Sequence, residues 1–219
     1  MKIAYRIMLI LLIICIPLIS ITGAYNIVLR MPDLYVYEFN RVQLTDELEL
    51  ELKDEEFGHF FSDFMIGKVE NFELIADYQG KEQNVFHTME QVSMEHFKQL
   101  LNILLYAFAG MLLIAVICYG VFMANNRKYF LRTAFKSGIL VYLVMIILPI
   151  ITYLVPSLRD FMQQFIFRFK FNEDNLLTQI FTESFVVEFL AATTFISAVI
   201  LFITGSVTWR MTKPRRMFW

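Results

Sequence analysis

The sequence predicts an all-α integral membrane protein with four transmembrane helices, N-in/C-in, and a small extracytoplasmic α+β insertion between helices 1 and 2. Hydrophobic residues make up 58% of the 219 residues, and the mean hydropathy is +0.56. Soluble domains average roughly 45–50% apolar residues. In addition, the chain has four apolar stretches of about 20 residues or more, the length that crosses a bilayer core as a helix.

The Lys and Arg residues decide the orientation, because short cytoplasmic connections retain positive charge. Lys2 and Arg6 precede the first span, Arg127 and Lys128 follow the second, and several basic residues follow the fourth, while none of these connections contains Asp or Glu. In chain order, we predict transmembrane helix 1 at 7–29, an extracytoplasmic segment at 30–99, transmembrane helix 2 at 100–124, a cytoplasmic loop at 125–133, transmembrane helix 3 at 134–155, an extracytoplasmic loop with an interfacial helix at 156–184, transmembrane helix 4 at 185–208, and a cytoplasmic tail at 209–219.

A cleaved signal peptide is the alternative interpretation of the first segment. Lys2 and Arg6 would form its basic start, and Thr22-Gly23-Ala24 a weak cleavage site. However, the apolar stretch of about 20 residues exceeds the 7–15 residues of a signal-peptide core. An anchoring helix is therefore the favoured interpretation.

The first outer segment is too long for a simple turn and must contain structure of its own. Apolar side chains at every second position favour strands at 34–39 and 71–78, whereas 47–52 alternates but is rich in helix formers and is left undecided. A helix should begin at Asp54, as its N-cap, and end at Gly67. One face of this helix is aromatic and should be buried: Phe57, Phe60, Phe61 and Phe64.

Helical patterning resumes at Asn84 and runs into the second span, so a rigid helix carries His87 and His96 at the outer surface. After Pro156 a second helical pattern places apolar residues on one side, which suits a helix lying in the membrane interface. Its apolar residues are Leu158, Phe161, Met162, Phe165 and Phe169, and a polar break follows at 170–175.

The sequence contains few candidates for chemistry. The spans lack Lys, Arg, Asp, Glu and His at mid-depth, with Glu188 the nearest exception, which argues against a pump or secondary transporter. Cys15 and Cys118 lie within spans and suggest no disulfide, zinc site or nucleophile. A phosphate-binding loop, a serine nucleophile elbow and a zinc-protease motif are also missing from the sequence. His87 remains, since an imidazole can accept and return a proton near neutral pH.

From His87 to Leu101 the chain reads HTMEQVSMEHFKQLL. This segment resembles the bacterial lipoprotein intramolecular transacylase (Lit) family and related uncharacterised four-span membrane proteins, which carry glutamate, two residues and then His-Met-x-Asp-Val before their second span. Residues 89–92 match the Met-x-Asp-Val part, whereas Thr88 takes the histidine's place and His87 lies one residue earlier. Segments 57–74 and 174–185 resemble the family's other outer motifs. The family's second histidine has no counterpart here, and Ile166 or Arg168 stands in that region.

The resemblance implies a bacterial cytoplasmic-membrane acyltransferase that moves the sn-2 acyl chain of a lipoprotein onto the amine of its N-terminal cysteine. His87 would be the base, Arg168 a charge stabiliser, and Glu90 an orienter of the imidazole or of the substrate amine. Neither a cofactor nor a metal is expected. The expected partner is a membrane lipid or a lipoprotein, and a second membrane protein is a further candidate. Nucleic acid is not an expected partner. The alternative is a non-catalytic relative that acts as a membrane scaffold, sensor or accessory subunit, and a channel or transporter component is a further alternative.

Overall fold

The structure is a computed structural model and describes residues 2–48, 50–78, 81–168 and 175–213. Most of the predicted polar break at 170–175 and the end of the predicted tail, from 214, lie outside the described residues. The helices and strands in chain order are α1 (Lys2–Val28), α2 (Pro32–Val42), α3 (Leu44–Glu47), α4 (Asp54–Ile66), β1 (Ile75–Tyr78), β2 (Lys81–Asn84), α5 (Thr88–Ala124), α6 (Lys128–Leu154), α7 (Pro156–Phe167), α8 (Leu176–Ile180) and α9 (Glu183–Thr212).

Four of these helices, α1, α5, α6 and α9, are long and apolar enough to cross a membrane. This finding confirms the predicted class of a four-helix membrane protein. Helix α5 has 37 residues, which at 1.5 Å per residue is about 55 Å. A hydrocarbon core is only about 30 Å thick. Part of α5 therefore lies outside it.

The first of two compact units comprises Met1–Tyr25, Leu104–Ile150 and Thr193–Trp219. It contains most of the length of α1, α6 and α9. Two pairs of polar side chains are hydrogen-bonded inside it: the Tyr142 and Ser197 hydroxyls are 2.7 Å apart, and so are those of Tyr119 and Thr208. The apolar core of this unit includes Leu12, Cys15, Ile16, Phe122, Leu131, Ala134 and Leu201.

The second unit comprises Asn26–Ile103 and Ile151–Ala192. Helices α2 and α4 approach closely in it, because a Cβ atom on Gly58 would lie 2.8 Å from the backbone nitrogen of Val36. Phe57, Phe61 and Phe64 are fully buried, which confirms the predicted aromatic face of α4. Rings from several elements form one aromatic cluster: Tyr35, Phe39, Phe57, Phe61, Phe72, Phe86, Phe181 and Phe185.

The predicted strand at 34–39 is wrong, because these residues belong to α2. Pro32 occupies the first turn of the helix, where a proline fits. Tyr35 and Phe39 lie four residues apart and are both fully buried, which is the spacing of one helix face. The Tyr35 hydroxyl donates to the Leu29 carbonyl oxygen at 2.9 Å, and burial raises the pKa of Tyr35.

Three further predictions for this unit need correction. The helix expected from Asn84 onward begins only at Thr88, because Asn84 ends β2, so His87 precedes the helix. The strand predicted at 71–78 is limited to β1, which pairs antiparallel with β2. Helix α4 has Lys53 rather than Asp54 as its N-cap. The Asp54 carboxylate instead accepts hydrogen bonds from the Thr45 backbone N–H and hydroxyl, at 2.8 and 2.9 Å, so it fixes α3. Gly67 ends α4 in the left-handed conformation, with φ 86°, as predicted.

Helix α7 has an exposed apolar face. Leu158, Phe161 and Phe165 are 43, 63 and 59% exposed. Arg159 on its other side pairs with Glu183 at 2.8 Å. Such a face is consistent with the predicted helix in the membrane interface, which stays a prediction.

Candidate functional site

His87 immediately precedes α5 and acts as its N-cap residue. Its carbonyl oxygen accepts the N–H groups of Glu90 and Gln91 at 2.9 and 3.0 Å. Its own N–H donates to the Glu90 Oε2 atom at 2.9 Å. A glutamate three positions into a helix that binds the N–H of the N-cap residue is one half of a capping box. The His87 side chain is exposed, so a fixed backbone presents an exposed imidazole.

Glu90 is 1% exposed, and its two carboxylate oxygens bind two separate segments. While Oε2 accepts the His87 N–H, Oε1 accepts the Leu177 N–H at 3.1 Å. Leu177 lies in the first turn of α8, where backbone N–H groups have no partner within their own helix. Glu90 therefore joins the start of α5 to the start of α8. Glu90 thus contacts the backbone of His87, and its predicted role in orienting the imidazole or the substrate amine stays a prediction.

His96 ties α5 to a different segment. Its Nδ1 atom lies 2.9 Å from the Ile166 carbonyl oxygen, in the last turn of α7. A carbonyl oxygen can only accept, so this ring nitrogen carries the proton. The ring is half-buried. His96 thus has a structural contact, in contrast to the exposed His87.

Arg168 is the residue that ends α7. It is exposed and adopts the left-handed conformation, with φ 55°, which is uncommon for a residue other than glycine. Arg168 lies two residues after Ile166, whose carbonyl oxygen binds His96. Residues 169–174 lie outside the described part of the chain. The first turns of α5 therefore hold the chain on both sides of that segment, at Ile166 and at Leu177.

A polar cluster that the sequence analysis missed surrounds Glu38 of α2. Glu38 is 2% exposed, and its Oε1 atom accepts hydrogen bonds from the Arg41 Nη2 atom at 2.7 Å and from the Ser184 hydroxyl. Glu188 lies 4.0 Å from Arg41. The hydrogen bond from Arg41 to Glu38 raises the pKa of Arg41.

The signal that could have found this cluster was hidden by the wrong assignment of 34–39. In a strand, residues three apart point to opposite faces, whereas in a helix they share one. Glu38 and Arg41 are three apart and of opposite charge. A helical assignment would thus have predicted their pairing, but nothing local indicates Ser184.

Arg30 provides another cation in the second unit. Its Nη2 atom donates to the Asn102 Oδ1 atom at 2.8 Å, and burial lowers the pKa of Arg30. Its carbonyl oxygen accepts the Ser62 hydroxyl at 2.8 Å. These contacts connect the end of α1 to α4 and α5. Among the residues that the structure describes, no group of three or more His, Cys, Asp or Glu is placed to hold a metal ion.

The four apolar helices and the mostly helical second unit define an integral membrane protein of a four-span class. A protein-family model narrows this class. The model for "Lipoprotein intramolecular transacylase Lit" matches residues 10–179. This chain therefore belongs to the Lit family, as its sequence resemblance indicated.

Solved structures agree on the fold. The chain is similar to the membrane-integral lipoprotein intramolecular transacylase Lit from Bacillus cereus in a variant with one histidine replaced by alanine, at TM-score 0.75 and 17% identity, covering 99% of this chain and 97% of that one. The structure of a variant of that protein with a histidine replaced by arginine matches with TM-score 0.75 and 15% identity. The match covers 99% of this chain and 95% of that one. A further structure of that protein gives TM-score 0.66. A comparison with curated proteins found no match.

Proposed function

We propose that this protein is a lipoprotein transacylase, which moves the sn-2 acyl chain of a diacylglyceryl-cysteine onto the amine of that cysteine at the outer membrane–water interface. The observation that carries the proposal is the family match over residues 10–179. That range contains His87, Glu90 and Arg168. The names of the similar solved structures, which describe a transacylase, support the same reaction class.

His87 is proposed as the base. Its imidazole takes a proton from the cysteine amine as the amine nitrogen bonds to the ester carbonyl carbon. The carbon–oxygen bond to the sn-2 position then breaks, and the departing oxygen takes the proton back from the imidazolium. The products are an amide and a free sn-2 hydroxyl. Because amine and ester belong to one molecule, proximity supplies much of the rate.

Arg168 is proposed to offset the negative charge on the carbonyl oxygen. A guanidinium stays protonated and donates in a fixed geometry, so it can stabilise an oxyanion but cannot act as a base. Its exposure at the end of α7 leaves its donors accessible to a ligand. The contact between His96 and Ile166, 2.9 Å long, holds this end of α7 against α5, the helix that His87 caps.

The role of Glu90 favours a second way of aligning this segment with the family motif. It differs from the alignment that matches Met89 with the motif's methionine. Aligning His87 with the family's histidine places Glu90 on the family's aspartate, three residues later, and Asn84 on its glutamate. A carboxylate at that position can cap the helix as Glu90 does here, with its Oε2 atom 2.9 Å from the His87 nitrogen. In this register the chain keeps both the histidine and an acidic residue of the motif.

The test is expression in a bacterial strain that lacks other N-acylating enzymes, followed by mass spectrometry of lipoprotein N-terminal peptides. We expect the lyso-form with an acylated amine. His87→Ala should lower its yield about 100-fold or more, the usual contribution of a general base. His59→Ala is the matched control, because His59 is also exposed in the second unit but lies on α4.

Each outcome has a definite consequence. Lipoproteins that remain entirely in the diacyl form would contradict the transacylase proposal. A lyso-form that persists at full yield in His87→Ala would leave the reaction standing but remove His87 as the base. A loss that is equal in His59→Ala would show that the second unit is sensitive to substitution in general.

A non-catalytic relative is the second candidate function. It is favoured by Ile166 and Arg168, which stand where the family has its second histidine. Such a protein would serve as a membrane scaffold, sensor or accessory subunit and would bind a lipid or a membrane protein. Copurification of a stable membrane partner, without any lyso-form product, would support this candidate over the enzyme.

A further inference from the structure

The Glu38 carboxylate has one buried oxygen that has no hydrogen-bond partner among the described residues. Its Oε2 atom has no hydrogen bond within the described residues, although Glu38 is only 2% exposed. Its other oxygen, Oε1, accepts hydrogen bonds from both Arg41 and Ser184. A buried acceptor without a donor is unfavourable, so this oxygen is suited to a donor that a ligand brings.

The charges around Glu38 favour a cationic ligand. Glu38 and Glu188 supply two carboxylates and Arg41 one guanidinium, at 2.7 Å from Glu38 and 4.0 Å from Glu188. The cluster therefore has one excess negative charge, which one ammonium group would balance. An ammonium has donors only, and Glu38 Oε2 is an acceptor.

The cluster is accessible from one side. Ser184 lies in the first turn of α9, the helix that forms the last candidate span. The Arg41 and Glu188 side chains are 40 and 39% exposed. Arg41 is bonded to the buried Glu38 at this surface, so a ligand that reaches Oε2 must displace the Arg41 side chain. The glyceryl esters and N-terminal amine of a lipoprotein lie close together at the membrane–water interface, where the first turn of a spanning helix also lies.

We infer that Glu38 Oε2 binds the α-ammonium group of the acyl acceptor, the N-terminal cysteine of the lipoprotein, before this group releases one proton to solvent and attacks as the neutral amine. This inference rests on the proposed function and adds the residue that recognises the amine. Arg41 pairs with Glu38 at 2.7 Å while the site is empty. Ser184 donates its hydroxyl proton to Glu38 and accepts a hydrogen bond from the Thr182 hydroxyl at 3.1 Å, so it fixes the carboxylate orientation. The same ammonium chemistry occurs in an ethanolamine phospholipid headgroup, and the test separates the two sources.

The experiment measures binding of a synthetic diacylglyceryl-cysteinyl peptide to the full-length protein in phosphatidylglycerol nanodiscs, which contain no amine. Each variant is tested with the free-amine peptide and with its N-acetylated form. The wild-type protein should prefer the free amine about tenfold to a hundredfold, the range for a hydrogen bond between charged groups. Glu38→Gln should remove this preference. Phosphatidylethanolamine is then added to the nanodiscs as a competitor.

Two further variants keep the test decisive if Glu38→Gln does not accumulate as folded protein. Glu188→Gln removes the excess negative charge of the cluster at a side chain that is 39% exposed. It should reduce, but not abolish, the preference for the free-amine peptide. Glu183→Gln is the matched control, because Glu183 is 76% exposed at the same end of α9 but pairs with Arg159. It should leave the preference unchanged.

The outcomes separate this inference from the proposed function. Lyso-form production with an unchanged amine preference in Glu38→Gln would overturn the inference and leave the transacylase in place. Equal losses in Glu188→Gln and Glu183→Gln would overturn it too, because general charge would then explain binding. A wild-type protein that binds both peptides equally, yet is saturated by phosphatidylethanolamine, would assign the site to a lipid headgroup instead. Absence of the lyso-form in wild-type protein would contradict the proposed function itself.

Discussion

Replacing Glu90 by glutamine removes one of two hydrogen bonds that join the starts of two helices. The carboxylate accepts the His87 N–H at 2.9 Å and the Leu177 N–H at 3.1 Å. A glutamine side chain of the same size offers one oxygen, and its amide nitrogen is a donor that cannot accept an N–H. One of the two backbone groups must therefore lose its partner.

The size of the effect follows from the kind of bond that is lost. A hydrogen bond to a charged group contributes about 1.5–3 kcal/mol. Because about 1.4 kcal/mol corresponds to a factor of ten, local opening of α8 should become about 10- to 100-fold more frequent. The short α8 has few other bonds of its own, so we expect the change there rather than in the long α5.

Amide hydrogen exchange measured by mass spectrometry, on detergent-solubilised protein, reports this opening directly. Peptides that cover residues 175–182 should exchange faster in Glu90→Gln, while peptides from α4 should exchange at the wild-type rate. The control is Glu95→Gln, since Glu95 is exposed on the same helix. Unchanged exchange at α8, or equal acceleration in the control, would refute the assignment of Glu90 as the link between α5 and α8.

Two glycines give further predictions, both measured as thermal stability in detergent. Gly58→Ala should destabilise the protein by about 1–3 kcal/mol, because its Cβ would lie 2.8 Å from the Val36 backbone nitrogen. Gly110→Ala is its control and should not destabilise, because a Cβ atom there would meet nothing within 4 Å beyond the adjacent residues and backbone of its own helix. Gly67→Ala should cost about 1–2 kcal/mol through backbone strain alone, because φ is 86° and the space is open. Wild-type stability in Gly58→Ala, or a greater loss in Gly110→Ala, would contradict the close approach of α2 and α4.

The parts of the fold that the sequence could predict are those set by local physics. Apolar length fixes the spans, because a helix must cross the bilayer core. The aromatic residues at 57, 60, 61 and 64 have helical spacing, and Gly67 can adopt a positive φ. At 34–39, by contrast, apolar residues occupy almost every position, so alternation and helical spacing are both satisfied. Packing of Tyr35 and Phe39 against α4 then decides in favour of the helix.

The Glu38 cluster could not be predicted in full because its partners are distant in the sequence. Glu38 and Ser184 are 146 residues apart. Neither residue belongs to a recognisable motif, and a single sequence contains no signal of their contact. The pairing with Arg41 is local and helical, and it was missed only because of the strand assignment. Long-range polar contacts thus form the part of the site that requires a structure.

The N-cap of α5 connects the fold to the proposed chemistry. Ser, Thr, Asp and Asn are preferred at N-caps because their side chains bind a free N–H of the first turn. Histidine occupies that position here, and its side chain is exposed. Glu90 binds the His87 backbone instead, at 2.9 Å. The contact with Glu90 fixes the backbone from which the His87 side chain extends, which is one part of positioning a base. Glu90→Gln should therefore lower transacylation through His87 as well as loosen α8, whereas a purely structural cap would affect stability alone.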